Sequence, residues 1–121
     1  MTQNLIIRGR LPGYNELTSG HWATRYKAKR EGIVIIMLEA IAKNIKRVDG
    51  FAVIEIRCYE PNAKRDNDNV SAGAAKIILD ALQQYGAIKG DGQKYVRCIQ
   101  HPPEVDRQNP RIEVTITEVL S

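Results

Sequence analysis

The fold of this chain is decided by the stretch FAVIEIRCY at residues 51–59. Its β-branched and aromatic residues favour a strand, and the segment at 69–85 that follows has the apolar spacing of a helix. Apolar residues such as Val70 and Ala74 recur there on one helix face. Gly86 comes directly after this segment, where a glycine commonly ends a helix. The centre of the chain therefore predicts a strand followed by a packed helix.

Strand and helix patterns continue on both sides of this unit. We expect a strand at 5–11 and a helix at 24–46 before it, and strands at 94–100 and 111–119 after it. The last of these alternates apolar and polar residues, as a half-buried strand does. The order β-α-β-α-β-β predicts an α+β fold: a two-layer domain with a four-stranded sheet and two helices on one face.

The first predicted helix changes character along its length. Its buried face is expected to hold apolar residues at three-to-four spacing, namely Tyr26, Ile33, Met37, Ala40 and Ile41. Further apolar residues widen this face in the second half, which is therefore expected to be deeply packed. The first half is basic and is expected to be exposed.

The length and composition of the chain indicate one domain. Its 121 residues predict a single domain over 1–121, and 43 % hydrophobic residues are typical of a globular protein. No apolar run approaches the roughly 20 residues that cross a bilayer, and no signal peptide is recognisable at the N-terminus. We therefore expect a cytoplasmic protein without a membrane partner. Cys58 and Cys98 are expected to be reduced, buried thiols.

Positive charge is concentrated in the first part of the chain. The net charge is +4, and residues 1–50 contain nine Lys and Arg against four Asp and Glu. The excess is densest at Arg25, Lys27, Lys29 and Arg30, which favours an anionic partner such as nucleic acid. These four residues are candidate DNA contacts, although a solvated helix face has the same pattern.

The segment KRDNDN at 64–69 is the strongest candidate for chemistry. If the backbone there is extended, Asp66 and Asp68 point to the same side, and Mg²⁺ commonly takes one or two carboxylates with water and phosphate oxygens. Lys64 and Arg65 beside them would hold a phosphodiester. The alternative is structural, because Asp and Asn residues are also ordinary caps at the start of a helix.

Two further features extend this candidate site. The turn at 90–92 adds a third carboxylate, Asp91, whose distance from the others cannot be read from the spacing. On the second helix, Asn69, Lys76 and Asp80 share one face, so Lys76 could lean back towards the two aspartates. There it would offset charge on a scissile phosphate. The alternative is an exposed Lys76–Asp80 ion pair.

Three motifs together resemble the RusA family of Holliday junction resolvases. They are RDNDN at 65–69, ILDAL at 78–82 and GAIKGD at 86–91, matching the R-D-x-D-N, D-A-L and G-x-x-x-x-D elements of that family. LPGYN at 11–15 is similar to its proline and asparagine loop. The likeness covers nearly the whole chain. The helix differs in having about one extra turn at 70–73, and Lys76 matches the family lysine only when counted back from Asp80.

The resemblance implies an activity and a set of site residues. It implies a homodimer that binds four-way DNA junctions and nicks two opposed strands, using Mg²⁺ or Mn²⁺. Asp66, Asp68 and Asp91 match the acidic, metal-holding positions, and Lys76 matches the catalytic lysine. Asn15 and Asn69 lie in motifs that would contact DNA.

Two other functions remain open at this point. A non-catalytic protein of the same fold would bind branched DNA without metal. A small-molecule phosphohydrolase would use the same carboxylates on nucleotides, although the basic first helix disfavours it.

Overall fold

The computed structural model describes residues 1–119 and contains the predicted strand and helix order with two short additions. The elements are β1 (Thr2–Arg8), α1 (Tyr14–Thr18), α2 (Trp22–Ala42), β2 (Phe51–Glu60), α3 (Asn67–Tyr85), β3 (Val96–Gln100), β4 (Glu104–Val105) and β5 (Arg111–Val119). The additions are α1 and β4, so the described chain has three helices and five strands instead of two and four. Both are too short to leave a periodic pattern in the sequence.

The sheet is open and mixed, in the order β1-β5-β2-β3, with β4 also paired to β2. β5 runs antiparallel to both β1 and β2, whereas β2 and β3 are parallel. A parallel neighbour requires a crossover, and α3 provides it between β2 and β3. The predicted α+β fold is confirmed.

One face of the sheet carries the core. Ile54 and Ile56 of β2 lie opposite Ile116 and Val114 of β5, and all four are fully buried. They form one cluster with apolar residues of α2 and α3, including Ile77. Each fully buried side chain of this kind stabilises the fold by about 1.5–3 kcal/mol, so the alternating pattern of the strands settles which face is buried.

The expected deep packing of the second half of α2 is wrong. Ile33, Ile36 and Ala40 are buried, but Leu38 and Ile41 are 61 % and 62 % exposed. Met37 is only partly buried, and Tyr26 is exposed as well. Apolar residues occur on every side of this helix, while the core covers one side only. None of the helices described is long and apolar enough to cross a membrane.

The ends of α2 are set by local chemistry rather than by the apolar pattern. The helix begins earlier than expected because His21 caps it, with Nδ1 accepting from the Ala23 N–H at 3.2 Å. It ends at Ala42, because Asn44 adopts a positive φ of 53° and breaks the helical backbone. The Ile45 N–H then returns to the Ala40 carbonyl.

Both cysteines are free thiols, as predicted. Cys98 of β3 lies opposite Ile54 of β2 in the parallel ladder. Because Ile54 is four residues before Cys58 along β2, the two cysteines are about 13 Å apart. Burial, followed by the charge of Glu60, raises the pKa of the Cys58 thiol to about 12. Cys98 is only half-buried, so the expectation of two buried thiols holds for Cys58 alone.

Candidate metal and nucleic-acid site

Asp66 starts α3 and acts as its N-terminal cap. Its backbone is extended, and its Oδ1 accepts a hydrogen bond from the Asn69 N–H at 2.8 Å. The helix already begins at Asn67, so the expected extended backbone across 66–68 does not occur. Asp66 and Asp68 instead occupy the cap and the first turn, where the N-terminal end of the helix dipole favours negative charge. The structural role considered for Asp66, that of a helix cap, is therefore confirmed.

The cap uses only a small part of the carboxylate oxygens of Asp66 and Asp68. Asp66 and Asp68 are both exposed, and neither forms an ion pair with any residue in 1–119. Only one oxygen of Asp66 is used by the cap within the described chain. The second oxygen of Asp66 and the carboxylate of Asp68 are thus available to bind a cation.

Asp91 lies at the opposite end of the sheet. It borders a depression together with Phe51, the first residue of β2, whereas Asp66 follows the last residue of that strand. The position of Asp91 follows from the parallel crossover, because α3 returns the chain from the end of β2 to the beginning of that strand. The length of β2 separates Asp91 from Asp66 by roughly 30 Å.

The predicted trio of Asp66, Asp68 and Asp91 is therefore not assembled within one chain. Among residues 1–119, no three His, Cys, Asp or Glu side chains are grouped to hold a metal ion. The sequence spacing could not show this, because the spacing gives the number of residues between two turns and not the end of the sheet at which each lies.

Arg65 is held inside the protein instead of being offered to a phosphate. Its Nε and Nη2 donate to the two carboxylate oxygens of Glu60 at 2.8 and 2.9 Å, and its Nη1 donates to the Leu11 carbonyl at 3.0 Å. Burial is the largest single influence on the pKa of Arg65 and lowers it, but the hydrogen bonds and charge of Glu60, together with the charge of Glu16, outweigh burial and raise it. This buried pair fixes the backbone directly before Asp66.

Glu60 was not among the candidate residues identified from the sequence. A signal for it exists, because Glu60 continues the inward-facing series of β2 that contains Ile54, Ile56 and Cys58. It is 4 % exposed. An acid at an inward strand position requires a buried cation as partner, and Arg65 is that partner.

The N-terminal loop docks onto the start of α3. The Asn69 side chain accepts a hydrogen bond from the Asn15 N–H at 2.7 Å, so the structure brings these two candidate residues together. At Gly73 the loop backbone is so close that an added Cβ would lie 2.7 Å from the Tyr14 nitrogen and closer still to the Pro12 carbonyl. Gly73 thus permits the contact that places Asn15 beside the start of α3.

Replacement of Gly73 by Ala is expected to destabilise the protein by about 1–3 kcal/mol, even though Ala favours helices, because the new methyl group overpacks against backbone that cannot rotate away. Urea unfolding measures the loss. Gly92→Ala is the matched control, since no atom of residues 1–119 lies within 4 Å of its added Cβ. Equal stability of the two variants would show that the loop is not closely docked.

Lys76 and Lys29 meet at a single carboxylate. Their ammonium groups lie 3.7 and 2.9 Å from the same oxygen of Asp80, which joins α2 to α3. The Lys76–Asp80 ion pair that was considered as the alternative role of Lys76 is thus present, and Lys76 remains half exposed. With Gln83 and Gln84 these residues line a groove between the two helices. Two cations around one anion leave this groove positively charged.

The other basic candidates differ in their surroundings. Arg30 and Lys64 are exposed and form no ion pair within residues 1–119, whereas Lys27 lies 3.9 Å from Glu31. Arg25 is half-buried, with an Nε atom that has no partner in the described chain. The basic first half of α2 is thus mostly solvent-facing, as expected.

Comparisons with known proteins add no family to this description. The chain matches no protein-family model, and no curated protein matches it. The function is therefore inferred from the residues of this chain and from their placement.

Proposed function

We propose that this protein is a divalent-metal-dependent endonuclease that cuts branched DNA, with four-way Holliday junctions as its substrate. The observation that carries the proposal is the exposed pair Asp66 and Asp68 at the N-terminus of α3 within the RDNDN motif, two carboxylates that form no ion pair with residues 1–119. Such an activity belongs in DNA recombination and repair and would operate in the cytoplasm.

The donor set of this pair fits a hard cation. Mg²⁺ and Mn²⁺ take oxygen ligands, and Mg²⁺ commonly uses one or two carboxylates while water and phosphate oxygens complete its shell. Asp66 and Asp68 would hold the ion from one side. A bound ion of this kind supplies an activated water and neutralises charge on the phosphate during hydrolysis.

Basic residues of the helices would hold the DNA backbone. Lys76 lies on α3 about 12 Å along the axis from Asp68 at 1.5 Å per residue, and Lys29 adds its charge across Asp80. Arg30 on α2 and Lys64, two residues before Asp66, are exposed. Their role is to bind phosphates, and Lys76 is the one that would offset charge nearest the scissile bond. Arg65 supports the site by positioning Asp66.

The proposal includes a homodimer in which Asp91 of one copy contributes to the metal site of the other. Within one chain Asp91 is separated from Asp66 by the length of β2, so Asp91 can serve the metal site only from a second copy. Two-fold pairing would place two such sites in one assembly, which suits the near two-fold symmetry of a four-way junction.

The proposal is tested by incubating the full chain with a labelled four-way junction in the presence of Mg²⁺ or EDTA. We expect paired, symmetric nicks with Mg²⁺ and none with EDTA, while a linear duplex of the same sequence stays intact. Junction binding without cleavage in both Mg²⁺ and Mn²⁺ would instead favour a non-catalytic branched-DNA-binding protein. Hydrolysis of nucleotides but not of junctions would favour a small-molecule phosphohydrolase.

A further inference from the structure

We propose that the exposed aromatic side chains Trp22 and Tyr26 of α2 stack on unpaired DNA bases, so that the protein recognises an opened branch point. The inference rests on the proposed function, because it names the feature of branched DNA that this surface would contact. It concerns neither the carboxylates of α3 nor the metal.

The exposed aromatic residues of the described chain are clustered. Tyr14, Trp22 and Tyr26 are exposed, and they fall within 13 consecutive residues. Trp22 and Tyr26 are 67 % and 66 % exposed. Aromatic side chains of this size bury roughly 150–250 Å² when packed, so most of two rings faces water here. A group of neighbouring, exposed apolar side chains commonly marks a binding surface.

The two rings are arranged to act together. Trp22 and Tyr26 are four residues apart on α2, which places them on the same side of the helix one turn from each other. The His21 ring lies beside the Trp22 ring, with centroids 5.7 Å apart and planes inclined by 29°. Because His21 is itself fixed by its cap hydrogen bond to Ala23, the indole is supported at one side and open elsewhere.

The surroundings of the rings are basic. Tyr26 borders a depression with Lys29, Arg30, Ile33 and Gln84, and Lys29 also borders the positively charged groove that contains Lys76. Cations that follow a phosphate backbone beside rings that receive bases are the pattern of single-stranded nucleic-acid binding. An apolar protein partner would gain little from these cations, so charge complementarity favours DNA as the occupant.

The single tryptophan of the chain provides a direct readout. Trp22 fluorescence is followed while the full chain, in EDTA, is titrated with an oligodeoxythymidylate strand, a four-way DNA junction and a blunt duplex. We expect quenching by the strand and the junction but not by the duplex.

Variants then separate stacking from general attraction. In fluorescence anisotropy with a labelled oligodeoxythymidylate strand, Trp22→Leu and Tyr26→Leu should each weaken binding at least about fivefold, the low end of what one base–aromatic stack contributes. Trp22→Phe and Tyr26→Phe retain a ring and should stay within about twofold of the wild type. Circular dichroism of each variant confirms that the helices persist.

The inference is overturned if Trp22 fluorescence is unchanged at saturating strand or if the Leu variants bind as well as the wild type. It is also overturned if a Trp22→Leu variant sediments as a monomer where the wild type is a dimer. The last result would assign the rings to a second copy of the chain. Junction cleavage in Mg²⁺ without any effect of the aromatic variants overturns this inference alone. Stacking on the strand without junction cleavage overturns the proposed nuclease instead.

Discussion

Junction cleavage by an Asp68→Asn variant is expected to fall at least about a hundredfold, because the substitution removes a charged ligand of the proposed metal ion, which would lower the transition-state energy by several kcal/mol. Binding of the uncut junction should persist, since loss of a negative charge does not weaken phosphate contacts. Cleavage and binding are measured on the same labelled four-way junction. Asp49→Asn is the control, because it removes the same charge from an exposed carboxylate that is not part of the proposed site.

Asp66 allows the metal role to be separated from the cap. Asn is as good an N-terminal cap as Asp, whereas Ala costs about 1 kcal/mol. We therefore expect Asp66→Asn to lose cleavage but keep its stability, and Asp66→Ala to lose both. A fully active Asp66→Asn variant would show that Asp66 serves only to start α3. Loss of junction binding in step with cleavage would also count against a metal role.

The proposed contribution of Asp91 from a second copy predicts complementation. Asp68→Asn and Asp91→Asn homodimers should each be inactive, yet mixing them should restore nicking to about a quarter of the wild-type level, because half of the dimers are mixed and each has one intact site. Mixing two Asp68→Asn preparations is the control. No recovery after verified subunit exchange would exclude Asp91 from the site.

The buried pair of Glu60 and Arg65 is expected to dominate the stability of the region around the site. Replacing Glu60 by Leu leaves the largely buried Arg65 guanidinium with only the exposed Glu16 carboxylate, 3.5 Å from its Nη1, as an acidic partner among residues 1–119, and breaking a buried ion pair in this way costs about 3–5 kcal/mol. Against a total stability of about 5–15 kcal/mol for a small domain, this is a large fraction. Urea unfolding followed by circular dichroism measures it.

A double variant makes this test specific. Glu60→Leu combined with Arg65→Met removes both charges, so it should recover most of the stability that Glu60→Leu loses, since apolar replacement of a buried pair is often close to neutral. The exposed pair Lys27 and Glu31 provides the contrast, because Lys27→Ala should change stability by less than about 1 kcal/mol. A Glu60→Leu variant as stable as the wild type would show that Arg65 needs no buried partner.

Local patterns in the sequence predicted the main elements well. The β-branched residues of β2 and the alternation in β5 correspond to strands in the structure, and α3 ends where expected, at Gly86 with a positive φ of 97°. These features depend on a few neighbouring residues, whose period and backbone preferences can be read directly. The position of Asp66 at the start of a helix was predictable for the same reason.

The apolar pattern of α2 shows where prediction from local sequence fails. The number of apolar residues in its second half suggested deep packing, but Leu38 and Ile41 face outward. A periodic pattern reports which residues share a side of the helix, and it does not report which sides a neighbouring element covers. Only the packing of α2 against the sheet and α3 decided this.

The sequence by itself determined the strands, the helices, the α+β class and the acidic segment that begins α3, because each depends on interactions between near neighbours along the chain. Tertiary structure alone decided that Gly73 receives the N-terminal loop and that Asp91 lies at the far end of the sheet from Asp66. The separation of Asp91 from Asp66 follows from the parallel crossover of β2, α3 and β3. Chain spacing carries no information about the direction in which that crossover returns.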